Sequence, residues 1–228
     1  MIHADFTEYK ETTGADPFTL QSKKMLKVFL QYGPVKARIG SMVAYQGDAR
    51  FEHGGSGGVA GFMKSKMTGE GVPVMDVTGS GEVFFGNQAA DIQTMYLDND
   101  QIWVNGANVL AFSASIGYDI QRVGGAGAMA GGLYNVVLKG TGYVAITCDG
   151  PPVVLDVASA PTFADPQAVV MWTSGVNMNI KSDVSVKTFI GKGSGETFQM
   201  GFSGTGWVMV QPSEGVIQGA GTKTGMGF

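Results

Sequence analysis

The chain has 228 residues, of which 44% are hydrophobic, and a formal net charge of −4 at pH 7. This length suits one large β domain or two ordinary ones, and the few scattered lysines and arginines exclude an extended basic surface for DNA. Glycine occupies 36 positions without a Gly-X-Y period, which excludes collagen. Glycine at this level beside 13 Phe, 7 Tyr and 3 Trp predicts an all-β protein with short strands and tight turns.

In chain order, Lys23, Lys24 and Lys27 form the nearest approach to a basic cluster, which we interpret as the solvated start of a strand. No long segment has the apolar spacing of an amphipathic helix behind a cap. Turn signals separate the strands, among them a predicted hairpin turn at Asp98-Asn99-Asp100. Strand-like patterns occur at 25–30, 76–85, 102–104, 109–112, 116–120, 136–148, 153–157, 176–181, 184–187 and 207–211.

Three Gly-x-Gly marks recur along the chain, each leading into a strand-like run. They begin at Gly79, Gly140 and Gly204, which are 61 and 64 residues apart. Paired glycines at a strand entry predict a bulge or a sharp bend, where the backbone needs a positive φ or approaches a neighbour closely. Three aromatic residues follow a similar spacing and mark equivalent places: Tyr45, Phe112 and Trp172.

The marks predict three β units at about 20–80, 81–141 and 142–206, followed by a closing C-terminal strand segment. A unit of about 60 residues buries too little surface to be stable alone. We therefore expect one domain over 1–228, in which the units pack around a pseudo-threefold axis.

Glycine-rich segments interrupt the first two units at equivalent places, whereas the third unit has only a short one at 191–195. They predict apolar-tipped loops, which are either plain surface loops, an interaction patch for a partner or a membrane surface, or a catalytic lid. The candidate interaction residues are Gly54, Gly55, Gly57, Gly58, Phe62, Met63, Met67, Gly124, Gly125, Met129 and Leu133.

The Gly-[Ser/Thr]-Gly-x-Val strand starts, the Gly-Gly segments and the length resemble the altered-inheritance-of-mitochondria family, a mitochondrial biogenesis family, over nearly the whole chain. The resemblance implies a fold similar to the tryptophan RNA-binding attenuator protein, a double-stranded β-helix with three β subdomains. It also implies assembly into trimers or larger rings and, for mitochondrial members, a scaffold role at membranes. It supplies no catalytic residues. Because no transit peptide or signal peptide is visible, we expect a bacterial, cytoplasmic member, with a membrane-peripheral position as the open alternative.

Motifs for chemistry are weak. Residues 54–58 contain Gly-x-Ser-x-Gly, but no helix follows, and a triad would need a base other than His53 or the terminal His3. Two histidines and one cysteine cannot build a His-rich or cysteine-based metal site. Cys148 alternates with apolar neighbours, which predicts a buried, inert thiol. The glycines at 124–127 and 191–193 lack the helix that a phosphate loop requires.

The sequence therefore predicts a non-enzymatic homo-oligomeric scaffold, a trimer or a ring of trimers, that uses no cofactor and no metal. The alternative is a small-molecule-binding or enzymatic β barrel with a pocket between units. An RNA-binding ring is a further, weaker alternative, because aromatic residues such as Tyr143 and Trp207 have no interleaved Lys or Arg. DNA is not an expected partner.

Overall fold

The computed structural model describes residues 5–53, 73–122, 134–182 and 198–213. These residues form an all-β fold, as the sequence predicts, and every strand pairing among them is antiparallel. Helical structure in these ranges is limited to the 3-10 turns Thr7–Tyr9, Leu30–Tyr32 and Gly106–Asn108. The strands are β1 (Phe18–Ser22), β2 (Met25–Phe29), β3 (Val35–Arg38), β4 (Met42–His53), β5 (Val74–Phe85), β6 (Asp91–Asn105), β7 (Val109–Ser113), β8 (Gly117–Arg122), β9 (Tyr134–Cys148), β10 (Val153–Asp156), β11 (Thr162–Ala164), β12 (Val169–Thr173), β13 (Val176–Ser182), β14 (Phe198–Gly204) and β15 (Trp207–Val210).

The same strand pairing occurs three times along the chain. Each Gly-x-Gly mark lies on a central strand, which is β5, β9, or β14 continued by β15. One flank is formed by β2 and β3 beside β5, by the two halves of β6 beside β9, and by β10 and β11 beside β14 and β15. The other flank is β4, β7 with β8, or β12 with β13. We therefore divide the described chain into repeat 1 (25–85), repeat 2 (91–148) and repeat 3 (153–210).

A bulge at one register position fixes how the repeats align. The pairing with the central strand shifts at this point in β4, β7 and β12. We call the four residues at each bulge the bulged segment: 42–45, 109–112 and 169–172. Each one ends in the aromatic residue that the spacing marks, and these residues pair with Val83, Val144 and Val208. Tyr45, Phe112 and Trp172 therefore hold the same position in the pairing with their central strands.

The marks bend the central strands rather than begin them. Gly79 and Gly81 lie inside β5, and Gly140 and Gly142 lie inside β9, so the expected position at a strand entry is wrong for these two. All of the paired glycines have a positive φ, as predicted. The unit boundaries suggested at 80/81 and 141/142 consequently fall inside strands.

The predicted hairpin turn at Asp98–Asp100 is also wrong, because β6 continues through it. The pairing of β6 with β9 jumps from Leu97–Gly142 to Asp100–Gly140, which leaves a bulge opposite Thr141. Asn99, at φ 50, donates its backbone N–H to the Thr141 hydroxyl at 2.9 Å. The bulge lets β6 follow the bend that the glycines impose on β9.

Neighbouring repeats are joined by strand pairs with the same register at both junctions. We call 35–37, 102–104 and 162–164 the joining segments of repeats 1, 2 and 3. At the first junction β3 pairs with β7 and places Lys36 opposite Phe112. At the second, β6 pairs with β12 and places Trp103 opposite Trp172, with their rings stacked at 6.1 Å.

Through these junctions the bulged segments of repeats 2 and 3 each place two residues in the core of the preceding repeat. Leu110 and Ala111 lie in the core cluster of repeat 1, and Val170 and Met171 lie in that of repeat 2. A third junction would pair 162–164 with 44–46. Among the described strands, however, β11 pairs only with β14 and β4 only with β5. The repetition is thus present in the pairing, while the pseudo-threefold axis and the attenuator-like β-helix stay predictions.

Substitution of the second glycine in β5 tests whether the bend depends on close backbone approach. Gly81 has φ 117, and a Cβ there would collide with the backbone carbonyl oxygen of Gln46 on β4. Gly33, with φ 128 and open space where a Cβ would stand, is the matched control. Both Gly→Ala changes introduce strain of about 1–3 kcal/mol, and we expect Gly81→Ala to lose several kcal/mol more, or to prevent folding, in urea unfolding. Equal losses in the two variants would contradict this interpretation.

Candidate functional site: an unpaired apolar edge

The bulged segment of repeat 1 is exposed, although its counterparts are buried. Val43 is 55% exposed, whereas Leu110 and Val170 at the same position are 0% exposed. Tyr45 is 49% exposed, against 1% for Phe112 and 3% for Trp172. The four residues of the segment are as apolar as their counterparts, so the difference arises from the strand that is missing beside them.

The joining segment of repeat 3 is the complementary edge. Phe163 on β11 is 46% exposed and lies over Gly201, to which β11 is paired. The Lys181 ammonium lies 4.1 Å from the centre of the Phe163 ring. The chain therefore presents two apolar strand edges of the kinds that pair with each other at both internal junctions.

A buried ion cluster holds the N-terminal segment next to the exposed edge. The Lys27 ammonium, on a side chain only 3% exposed, contacts Glu82 at 2.7 Å and Glu11 at 3.1 Å. Gln46, which follows Tyr45 on β4, donates its side-chain N–H to Glu11. The interpretation of Lys27 as part of a solvated strand start is wrong, because Glu11 of the N-terminal segment contacts and covers its ammonium. Lys23 and Lys24 are exposed, as expected.

The cluster shifts the pKa values of Lys27 and Glu11. Burial alone would lower the pKa of Lys27, but its hydrogen bonds with Glu82 and Glu11 outweigh burial and raise that pKa. The hydrogen bond from Lys27 lowers the pKa of Glu11 from its ordinary value of 4.5. At neutral pH Lys27 and Glu11 are therefore both charged, and their contacts join the N-terminal segment to β2 and β4.

A cleft of about 430 Å³ lies where repeats 1 and 2 meet, between Phe18, Val28 and Phe29 on one side and Ser113 and Ser115 on the other. Its lining includes no carboxylate, imidazole, thiol or amine side chain. Ser113 accepts the Tyr143 backbone N–H at 3.0 Å, and Ser115 donates to the Thr141 carbonyl at 2.9 Å. These two hydroxyls already have partners, and the other hydroxyl in the lining is the phenol of Tyr32.

Metal-binding side chains do not cluster in the ranges that the structure describes. No group of three or more His, Cys, Asp or Glu residues there could hold a metal ion. Cys148 is fully buried, as predicted, and burial, with smaller effects of Asp91 and Asp149, raises its pKa to about 12. Such a thiol is a poor nucleophile and a poor metal ligand.

The aromatic residues considered for base stacking already have ring partners or core contacts. Tyr143 stacks on Phe18 at 5.6 Å and meets Tyr96 edge-on at 5.0 Å. Trp207 is partly buried against the core of repeat 2. Their packing is that of core contacts rather than of a platform for RNA bases.

The candidate loop residues between Gly54 and Met67 and between Gly124 and Leu133 all lie outside the described residues, as do the serine motif at 54–58 and the glycines at 191–195. The strands on either side place the three undescribed segments at the same point of each repeat: between β4 and β5, β8 and β9, and β13 and β14. Their role in docking stays a prediction. Sequence reasoning missed the exposed edge, because nothing in residues 42–45 distinguishes them from the buried counterparts.

Comparison with known proteins agrees with this geometry. The family described as mitochondrial biogenesis AIM24 matches residues 18–213. The chain belongs to this family. The resemblance inferred from the Gly-x-Gly marks is thereby confirmed.

The fold has a solved relative. A crystal structure of protein SPYM3_0169 from Streptococcus pyogenes superimposes with a TM-score of 0.69 and 20% sequence identity, over 86% of this chain and 92% of that one. At this identity the likeness concerns the fold. A search of curated proteins found no match. No helix in the described part of this AIM24-family chain has the length and apolar character to cross a membrane.

The thiol of Cys148 provides a test of core burial. At pH 8, a pKa near 12 leaves about a thousandfold less thiolate than an ordinary cysteine has. We expect the native protein to give almost no reaction with a thiol-specific chromogenic disulfide, and one thiol per chain after denaturation. Prompt reaction of the folded protein would contradict the buried position.

The Glu11 interaction makes stability depend on acid pH. Because the pKa of Glu11 is lowered by folding, its contribution is present above its unfolded value and disappears as pH falls through the lower folded value. We expect Glu11→Gln to lower the Tm at neutral pH and to match the wild type once the pH has fallen below the lowered folded pKa of Glu11. Glu8→Gln, at an exposed glutamate of the same segment, is the control and should have little effect at any pH. A Tm difference for Glu11→Gln that persists at low pH would count against the ion cluster.

Proposed function

We propose that this AIM24-family protein is a non-enzymatic scaffold that works by self-association, as a trimer or a ring of trimers. The observation that carries the proposal is the exposure of the bulged segment of repeat 1, whose two counterparts are buried in sheets. A row of unpaired backbone groups with apolar side chains is a ready template for another strand.

The energetic case rests on the residues of this segment. Met42, Val43 and Tyr45 are 38%, 55% and 49% exposed, and full burial of side chains of this size contributes about 1.5–3 kcal/mol each relative to exposure. Backbone hydrogen bonds along the edge would add specificity in register rather than much net energy. Association through one such edge is weak for a single contact, and closure into a ring makes several contacts cooperative.

The finer assignments extend the same proposal. We propose a cytoplasmic location, including the periphery of a membrane, and a second docking surface on the glycine-rich segments 54–67 and 124–133 for a protein or a membrane surface. The acidic net charge of −4 supports a protein partner or a neutral surface over a nucleic acid. An absorbance ratio typical of clean protein after purification at low salt would support this choice over RNA.

A single charge on the edge tests the self-association. Val43→Lys places an ammonium at an exposed position of the single chain, so the fold should keep its Tm, whereas a paired edge would have to bury it. We expect the wild type to show a mass of at least three chains in size exclusion with light scattering, and Val43→Lys to shift to the monomer with self-association weakened at least about tenfold.

The matched control is Tyr96→Lys, at a residue that is also 55% exposed but lies on β6 outside the bulged segments. It should leave the assembly intact. A monomeric wild type at micromolar concentration, or equal disruption by both variants, would overturn the scaffold proposal.

A further inference from the structure

The two internal junctions define a register rule for this fold. The middle residue of a joining segment lies opposite the aromatic residue that ends the bulged segment of the next repeat, as Lys36 lies opposite Phe112 and Trp103 opposite Trp172. At the equivalent position of the absent third junction, the rule places Phe163 opposite Tyr45. These two residues are 46% and 49% exposed.

From this rule we infer that β11 of one copy pairs antiparallel with residues 44–46 of a second copy, with Phe163 opposite Tyr45, so that the bulged segment 42–45 of that copy is covered. The inference rests on the proposed self-association and names its interface. The occupant of each edge is thus a second copy of this chain, because each copy carries both halves of the same junction. Repeat 3 of one copy is then joined to repeat 1 of the next copy in the same way as neighbouring repeats are joined within a chain.

The chemistry of the two edges agrees with the internal junctions. At the first junction Lys36 lies over the ring of Tyr118 at 5.9 Å, and at the second the Trp103 and Trp172 rings stack. The proposed junction would bring Phe163, which already has Lys181 over its ring, against the ring of Tyr45. At both internal junctions the middle residue of the joining segment thus faces an aromatic ring of the next repeat, and Tyr45 would supply that ring at the proposed junction.

The packing behind the strands also agrees. Each buried bulged segment fills the core of the preceding repeat, as Leu110 does in repeat 1 and Val170 in repeat 2. Val43 would by the same rule enter the core of repeat 3 of the second copy, next to Trp172 and Phe202. The join is heterologous, since two different patches meet, and such a contact continues until it closes into a ring or extends as a filament.

Engineered cysteines test the junction by its register. Directly opposite residues of antiparallel strands have Cα atoms about 4.5–5.5 Å apart, within the range of a disulfide. We would mix Tyr45→Cys chains with Phe163→Cys chains under oxidised glutathione and expect a covalent dimer that needs both variants. The native thiol of Cys148 is buried and does not compete. Tyr96→Cys mixed with Phe163→Cys is the matched control and should remain monomeric on a non-reducing gel.

The remaining outcomes separate this inference from the scaffold proposal. A cross-link inside one chain of the Tyr45→Cys, Phe163→Cys double variant, without covalent dimers in the mixture, means that the third junction closes within the chain and overturns the inference. A cross-link of Tyr45→Cys with itself alone means symmetric edge pairing and overturns the register while the scaffold stands. An assembled wild type without any of these cross-links overturns the junction but not self-association, whereas a monomeric wild type overturns both.

Discussion

The close approach of the β4 backbone to the Gly-x-Gly pair of β5 is the constraint on which the first repeat and its junction depend. On one flank of β5, residues 74–77 pair with β3 and residues 82–85 pair with β2, so the strand changes partners across Gly79 and Gly81. A side chain at either glycine would meet a backbone carbonyl oxygen of β4, at Asp48 or Gln46. Only glycine therefore lets one long strand belong to two packed parts of the structure at once.

The partner change explains why the repeats share their cores. Because each central strand is bent, its two halves serve different neighbours, and the bulged segment of the following repeat reaches the sheet of the preceding one. Phe112 and Trp172 end segments that are buried on this account, with no sequence feature that sets them apart from Tyr45. A repeat of this kind is not a separate folding unit, since part of its core comes from the next repeat.

This sharing also decides what the sequence can predict. The glycine spacing and the aromatic residues Tyr45, Phe112 and Trp172 predict both the number of repeats and their alignment, because local backbone requirements leave local residue signatures. The burial of Lys27 is beyond such patterns, since it depends on Glu11, which lies 16 residues earlier in a segment without a strand pattern. The sequence around Asn99 likewise resembles a turn. The bulge found there instead has its cause in the neighbouring strand, because β6 follows the glycines of β9 with which it pairs. The exposure of residues 42–45 depends on whether another strand pairs beside them, and their own sequence contains no signal for that.

The two end strands of the larger sheet, β1 and β10, differ from the exposed edge at 42–45 in the residues that flank them. The sheet ends at β10, whose exposed Val153 and Val154 follow Pro151 and Pro152 and precede Asp156. At the other end, β1 follows Pro17 and leads into two lysines. Prolines and charges at strand ends discourage further pairing. The segment 42–45 contains no proline and no charged residue, so its apolar edge is suited to a specific partner strand.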